Sequence, residues 1–379
     1  MVAHFGHHLL GALLVPLLPF IRDDLALDYA QAGWVVSAFM VSYGFGQLPG
    51  GWLADRIGSR TVITVGISGV ALSGFLVGLS PTYIIMTIFL VLLGVTGGGY
   101  HPASIPVISA LVDSGKLGRA LGLHQLGGAA SHFLAPLIAV GIATVLGWRG
   151  SFIGTAIPIF IFGIVFYVLL GMWGYAKETG QGISEGYIET PSTPGHLGRL
   201  VAFLIVSIVG QILIVAIISF IPLFLVDHFG VSEEVAAVLL ALTYSAGFWA
   251  GPLGGYLSDR LGTVPVMLVV TLMTGPVIYL LNHVTYGLGI GALLILIGMS
   301  LDSRMPVSEA YITSQTSERN RSTVLGIYYF GSRGGPGVIT PVLGYLIDRL
   351  GFYTSFTIMS AALVAVTLIC SVFLWNRRD

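Results

Sequence analysis

A chain of 379 residues with 55% hydrophobic and only 9% charged side chains cannot cover its own core with polar surface, since soluble domains carry roughly 25% charged residues. A net charge of −1 excludes the basic footprint of a nucleic-acid partner. The single cysteine, Cys370, excludes an intramolecular disulfide and a cysteine-based metal centre. Lipid is therefore the solvent for most of the chain, and the 52 glycines suit helices that pack backbone to backbone.

A helix needs about 20 apolar residues to cross a bilayer. Charge clusters and Gly/Pro turns divide the chain into twelve such segments: 3–21, 30–54, 61–79, 83–112, 119–146, 151–172, 199–225, 233–257, 264–282, 287–313, 322–347 and 352–375. Met1 to Ile21 is apolar but has no basic start and no small-residue cleavage site, so it reads as the first span rather than a signal peptide. Several segments exceed the minimum, which predicts tilt or extension past the lipid. The polar stretch 173–198 contains Lys177, Glu178, Glu185, Glu189, Pro191 and Pro194. It predicts a cytoplasmic linker between a bundle of residues 1–172 and a bundle of residues 199–379.

Lysine and arginine set the orientation. With both termini in the cytoplasm of a cell-membrane protein, eleven of the sixteen basic residues lie inside, Arg56, Lys116, Arg199, Arg260, Arg319 and Arg377 among them. Only Arg22, Arg149 and Arg349 then lie outside, and Arg304 and Arg333 fall within spans.

The two halves repeat at one shift of 204 positions. Gly51-Trp52-Leu53-Ala54-Asp55-Arg56-Ile57-Gly58 falls on Gly255-Tyr256-Leu257-Ser258-Asp259-Arg260-Leu261-Gly262. At the same shift Asp23 falls on Asp227, Pro102 on Pro306, Leu121-Gly122 on Leu325-Gly326, and Ser151-Phe152 on Ser355-Phe356. A six-span repeat in one orientation predicts two halves about an axis along the membrane normal.

The motif Gly51-x-x-x-Asp55-Arg56-x-Gly58-x-Arg60 after the second span, with its weaker copy after the eighth, resembles the signature of the major facilitator superfamily. The copy stops short, because Thr263-Val264 replace its basic end. The resemblance implies an all-α membrane protein with twelve transmembrane helices in two pseudo-symmetric six-helix bundles. It implies a monomeric secondary transporter that works by alternating access. It also implies gating roles for Asp55, Arg56, Gly58, Arg60, Asp259 and Arg260, with Asp55 latching the cytoplasmic side against a basic residue or a helix N-terminus. A solvated turn that only marks topology is the plainer reading of these positions.

A narrower resemblance is to fosmidomycin-resistance-type transporters. It rests on His8-Leu9, Leu17-Leu18-Pro19, Tyr29-Ala30-Gln31-Ala32-Gly33 and Tyr100-His101-Pro102-Ala103-Ser104. It implies proton-driven export of small, often anionic compounds.

Ionisable residues at the bilayer centre cost at least about 2.5 kcal/mol each unless they face a partner or a wet cavity. Span ten holds Asp302, Arg304 and Glu309, and span eleven holds Arg333. Asp302 and Glu309, seven apart, share a helix face, whereas Arg304 points roughly the opposite way. One of Asp302 and Arg304 therefore lines the cavity while the other bonds a neighbouring helix. Arg333 or Arg304 is the candidate grip for an anionic substrate, with Asp302 as proton carrier or counter-ion. A structural Asp302–Arg333 pair is the alternative.

The other candidates come from the first half, where His4, His7, His8, His101, His124 and His132 lie within spans. Near-neutral titration suits histidine to proton coupling. Substrate contacts are expected from Arg333, Arg304, Tyr100, His101, His8 and Gln125, and proton coupling from Asp302, Glu309, His8, His101 and His124. His4 and His8 have the spacing of a metal pair. With no carboxylate near them in sequence and Cys370 far away, no metal ligand is assigned and no cofactor is expected. Glycine stripes at Gly127-Gly128 and at Gly331, Gly334, Gly335 and Gly337 read as helix packing.

No Walker-type loop, His-Glu-x-x-His or Gly-x-Ser-x-Gly occurs in the sequence. The function expected is proton-coupled movement, in the export direction, of a small organic anion across the membrane. A uniporter, an importer, or a non-transporting sensor on the same fold are the alternatives.

Overall fold

The computed structural model of the chain describes residues 1–112, 116–172 and 196–374. Every regular element among them is helical. Seven of the described helices cross a bilayer by length and apolarity alone, or eight if one pair bent by 42° counts as a span. Local features of the chain account for the rest. Leu117–Met172 and Glu318–Leu374 each hold two crossings, turned at Gly147 (φ 70°) and Gly351 (φ 74°). Span one is broken into Val2–Ala12 and Leu18–Leu25, because Pro16 has no N–H to carry the helix across. Span two, Tyr29–Ile57, is long enough but too rich in glycine and polar residues to read as a crossing by composition.

The remaining crossings are short assemblies. Span three joins Ser59–Thr64, a π-helical turn Val65–Gly69 and Val70–Gly78. Span four joins Tyr83–Gly98 and Tyr100–Leu111. Span eight joins Glu233–Ser245, a 3-10 turn and Ala250–Leu261. Span seven is His196–Phe229, span nine Thr263–Leu280 and span ten Leu288–Gln315. The first described helix after residue 172, His196–Phe229, starts within the expected linker. Almost all of the expected linker lies outside the described residues.

The repeat is written in the backbone as well as in the sequence. Residues with positive φ pair at the shift of 204: Ala26 (49°) with Gly230 (64°), Gly58 (88°) with Gly262 (90°), and Gly147 (70°) with Gly351 (74°). Helix starts pair too. Asp28 caps span two through a capping box in which its side chain accepts from Gln31 N at 2.7 Å and its own N–H donates to Gln31 Oε1 at 3.1 Å. Ser232, at the same shift, caps span eight.

The interior is apolar and so is the outer surface, as lipid demands. Val145 is 80% exposed and Val372 73% on the outer surface, whereas His4 and Arg304 are each 2% exposed. The halves meet chiefly where span two packs on span eleven and span five on span eight. Glycine makes the first contact possible. A Cβ on Gly33 would lie 2.7 Å from the Cα of Pro341, and one on Gly44 would lie 2.8 Å from the Cα of Gly334.

Candidate functional site

The first half gathers its six intramembrane histidines into one cluster: His4, His7, His101 and His124 pack on the ring of Tyr100, and His8 and His132 join through the other rings. His4 and His8 stand on one face of Val2–Ala12, as their spacing requires, and His101 opens the helix Tyr100–Leu111. His8 Nε2 and His101 Nε2 are 3.1 Å apart. His4 Nδ1 donates to the carbonyl of His124 at 2.7 Å, and the two rings stack at 4.0 Å. His7 Nδ1 donates at 2.9 Å to the carbonyl of Gly66, inside the π-helical turn of span three. Its Nε2 faces Tyr43 Oη at 3.3 Å. His132 Nδ1 donates to Gly128 O at 2.9 Å, and its ring lies 5.6 Å from that of Tyr244 in the second half. Among the described residues, none of these six rings hydrogen-bonds a carboxylate. The ring nitrogens of His4, His8 and His101 all lie within 4.8 Å of one another, so span four supplies the third nitrogen that sequence neighbours could not.

The second half separates its charges. Arg304 is fully buried against span seven, where Nη2 donates to Val206 O at 3.0 Å and Ser207 O at 2.7 Å. Its Nε and Nη1 have no partner. Asp302, on the other side of the same helix, is half-buried beside Gly247, and Tyr244 lies within its electrostatic reach. Glu309 accepts from Tyr329 Oη at 2.6 Å. Arg333 is half-buried in span eleven and donates only to the thioether of Met305, at 3.6 Å. Neither an Asp302–Arg333 nor a Glu309–Arg333 ion pair forms. Arg333 is nonetheless within electrostatic reach of Asp302 and Glu309, and, across the interface, of His101, His132 and Tyr43. Gln125 is exposed in span five. A cavity of about 330 Å³ lies inside the first half, lined by Ile63, Tyr100, Val107, His124 and Phe166 among others. It touches the histidine cluster only at Tyr100 and His124 and does not lie between the halves.

Among the described gating candidates, Arg56, Arg60 and Arg260 make their contacts within their own half. Arg56 stacks on Trp52 at 4.3 Å and Arg260 on Tyr256 at 4.7 Å, each four residues back on its own helix. Arg60 stacks on Tyr167 at 3.8 Å and donates to its carbonyl. Gly58 and Gly262 form the helix breaks. Asp259 is exposed, and the side chain of Asp55 lies outside the described residues.

The face away from the termini carries the contacts that sequence reasoning missed. Arg22 forms a bidentate pair with Asp227, with Nη2 at 2.9 Å from Oδ1, and Tyr29 Oη donates to Asp227 Oδ2 at 2.6 Å. Asp348 accepts from the N–H groups of Tyr29 and Ala30, at 3.0 and 2.9 Å, at the start of span two. A carboxylate from the second half thus caps a helix of the first. The repeated Asp23/Asp227 register was the one sequence signal pointing there. Nearby, Arg149 and Trp148 both donate to Asp24, at 2.5 and 3.1 Å. The Arg149 guanidinium, ahead of the Trp148 bond, holds the Asp24 carboxyl below its usual range. This face is closed, and ring contact between spans two and eleven continues down to Phe45–Phe330 at 5.1 Å.

Comparison with known proteins places these features. The chain is 26% identical over 382 residues to a probable sulfoacetate transporter of Cupriavidus necator, covering 94% of this chain and 87% of that protein. It is 25% identical over 372 residues to a hexuronate transporter of Bacillus subtilis, covering 91% and 86%. It shares its fold with a nucleoside transporter structure at a TM-score of 0.82, with 14% identity and 98% of each chain covered. The protein is a multi-pass membrane transporter of the secondary type and not an enzyme. The Major Facilitator Superfamily profile matches residues 1–245 and 197–379. The chain belongs to that superfamily.

Proposed function

We propose that the protein carries a small organic anion across the cell membrane, coupled to protons, with Arg333 as the group that grips the anion. One observation carries this reading: Arg333 sits mid-span, half-buried, and has no anionic partner among the described residues. A cation in that position is costly unless a counter-ion or wet cavity meets it. It is also within electrostatic reach of His101 and His132 of the other half, which supports a solute held between both rocking bodies. The relatives' names agree with an anionic solute, since sulfoacetate and hexuronates both carry carboxylate or sulfonate groups that a guanidinium binds bidentately.

Arg304 is assigned a packing role, because its bonds go to span-seven carbonyls. Asp302, which has no ion pair, and Glu309 on Tyr329 are the carboxylates placed to exchange protons beside Arg333. His8 and His101 are the groups placed to do so from the first half. The termini are proposed to be cytoplasmic, on the distribution of basic residues. The direction proposed is export, which rests on the resemblance of Tyr100-His101-Pro102-Ala103-Ser104 and its companion motifs to fosmidomycin-resistance-type transporters.

The test is flux in proteoliposomes with a panel of short sulfonates and sugar acids. Arg333→Ala should abolish flux while monodispersity and melting temperature are kept. Arg333→Lys should retain only part of it, because an ammonium keeps the charge and loses the fork. Full flux in the alanine variant would sink the assignment. Solute movement indifferent to an imposed pH gradient would remove the proton from the mechanism.

A further inference from the structure

The histidine cluster has a geometry that anion transport does not require. We infer that His4, His8 and His101 form a binding site for one divalent transition-metal ion of the imidazole-preferring class, with zinc as its type case. The spacing of the nitrogens is the first argument. A tetrahedral ion with metal–nitrogen bonds of about 2.0–2.1 Å holds its ligand nitrogens roughly 3.3 Å apart. His8 Nε2 and His101 Nε2 already stand at 3.1 Å. The third ring has a nitrogen within 4.8 Å of both, a gap that a small ring rotation closes.

The second argument is the hydrogen bonding behind the ligands. His4 donates Nδ1–H to the His124 carbonyl at 2.7 Å. That bond fixes the tautomer and leaves Nε2 as a bare lone pair. His4 is 2% exposed, and Nε2 has no partner of any kind. A buried acceptor left unsatisfied is costly, and a carbonyl behind the far nitrogen is the usual arrangement for a metal-bound imidazole.

The same grounds exclude one neighbouring ring. Both nitrogens of His7 are engaged, by Gly66 O and Tyr43 Oη. His124 lies flat against His4, at an interplanar angle of 3°, and its Nε2 is likewise without a hydrogen-bond partner, which makes it a reserve donor beside His4. His132 has its ring 5.2 Å from that of His8 and its Nδ1 tied to Gly128 O.

The donor set decides the class of ion. Three imidazoles with no carboxylate and no thiolate suit zinc, cobalt, nickel or copper and not the oxygen-seeking magnesium or calcium. The fourth position is left for water or an anionic oxygen, which offsets part of the ion's charge beside Arg333. The ligands come from spans one and four of a single half, so the ion braces that half without tying it to the other, and while it is bound His8 and His101 exchange no protons, which leaves that role to Asp302 and Glu309.

The experiment is titration of the full chain, without a polyhistidine tag, with cobalt(II) followed by d–d absorption, and then displacement by zinc. One ion per chain with the intense band of a tetrahedral site is expected. His4→Gln and His101→Gln should each weaken binding about tenfold or more, and His283→Gln, far from the cluster, should leave it unchanged. No saturable band in the unaltered chain overturns the site. So does equal binding by the unaltered chain and both cluster variants, or a loss confined to His283→Gln. If either cluster variant fails to fold, His8→Gln and the stoichiometry of the unaltered chain decide. The readout is binding rather than flux, so an unaltered chain that binds the metal but moves no anion counts against the anion assignment alone.

Discussion

Arg304 and Arg333 show how two arginines in neighbouring spans come to different uses. Arg304 spends its charge on two backbone carbonyls and leaves Nε and Nη1 unpartnered in a dry interior. Replacing a poorly satisfied buried charge by an apolar side chain of similar length is often neutral or stabilising by about 1–4 kcal/mol. Arg304→Met is therefore expected to unfold in denaturant no earlier than the unaltered protein and to keep its flux. Collapse of flux in a folded Arg304→Met protein would move this residue into the substrate site. Helical spacing in the sequence separated Asp302 from Arg304. It could not say which of the two turns toward span seven, because that depends on how span ten is rotated against its neighbours. Nor could it bring His101 to His8, which lies 93 positions away.

At the scale of elements, glycine decides how closely the halves approach. The backbone of span eleven lies where a side chain on Gly33 or Gly44 would begin. Gly44→Val is expected to force spans two and eleven apart, an overpacking cost of about 1–3 kcal/mol borne by the state in which the far face is closed. The measurement is reaction of a thiol reagent with a cysteine placed at Ala30, against a background of buried Cys370. Faster labelling and slower flux are expected, and unchanged labelling would mean that the contact is not needed for closure. The glycines at these positions were visible in the sequence. Their partners were not, since a small residue facing lipid and one facing Pro341 look alike along the chain. Span one and span two show the opposite limit. Hydropathy predicted both, yet Pro16 breaks the first and polar residues dilute the second, so each crosses only by virtue of the bundle around it.

The whole molecule is two six-helix bodies held together at one face by Arg22–Asp227, Tyr29–Asp227 and the Asp348 cap, while Arg56 and Arg260 stack on their own helices at the other. A lock of partly exposed charges is weak enough to open. Removing its central carboxylate should shift the balance between closed and open far face by about 1 kcal/mol, roughly fivefold in population. Asp227→Asn is expected to raise thiol labelling at Ala30→Cys, and Arg22→Gln combined with it to add little, because the two residues act on one bond. Additive effects would show that they work separately. The sequence by itself determined the twelve crossings, the repeat of 204 and the glycines with positive φ that punctuate both halves, because span length, helix breaks and left-handed turns are properties of neighbouring residues. Only the tertiary structure decided that six histidines form one cluster, four of them on the ring of Tyr100, that Arg304 is bonded to span-seven carbonyls while Arg333 meets no carboxylate among the described residues, and that the lock lies on the far face. Those outcomes depend on helix rotation and on contacts between residues about one to three hundred positions apart, which one-dimensional spacing does not encode.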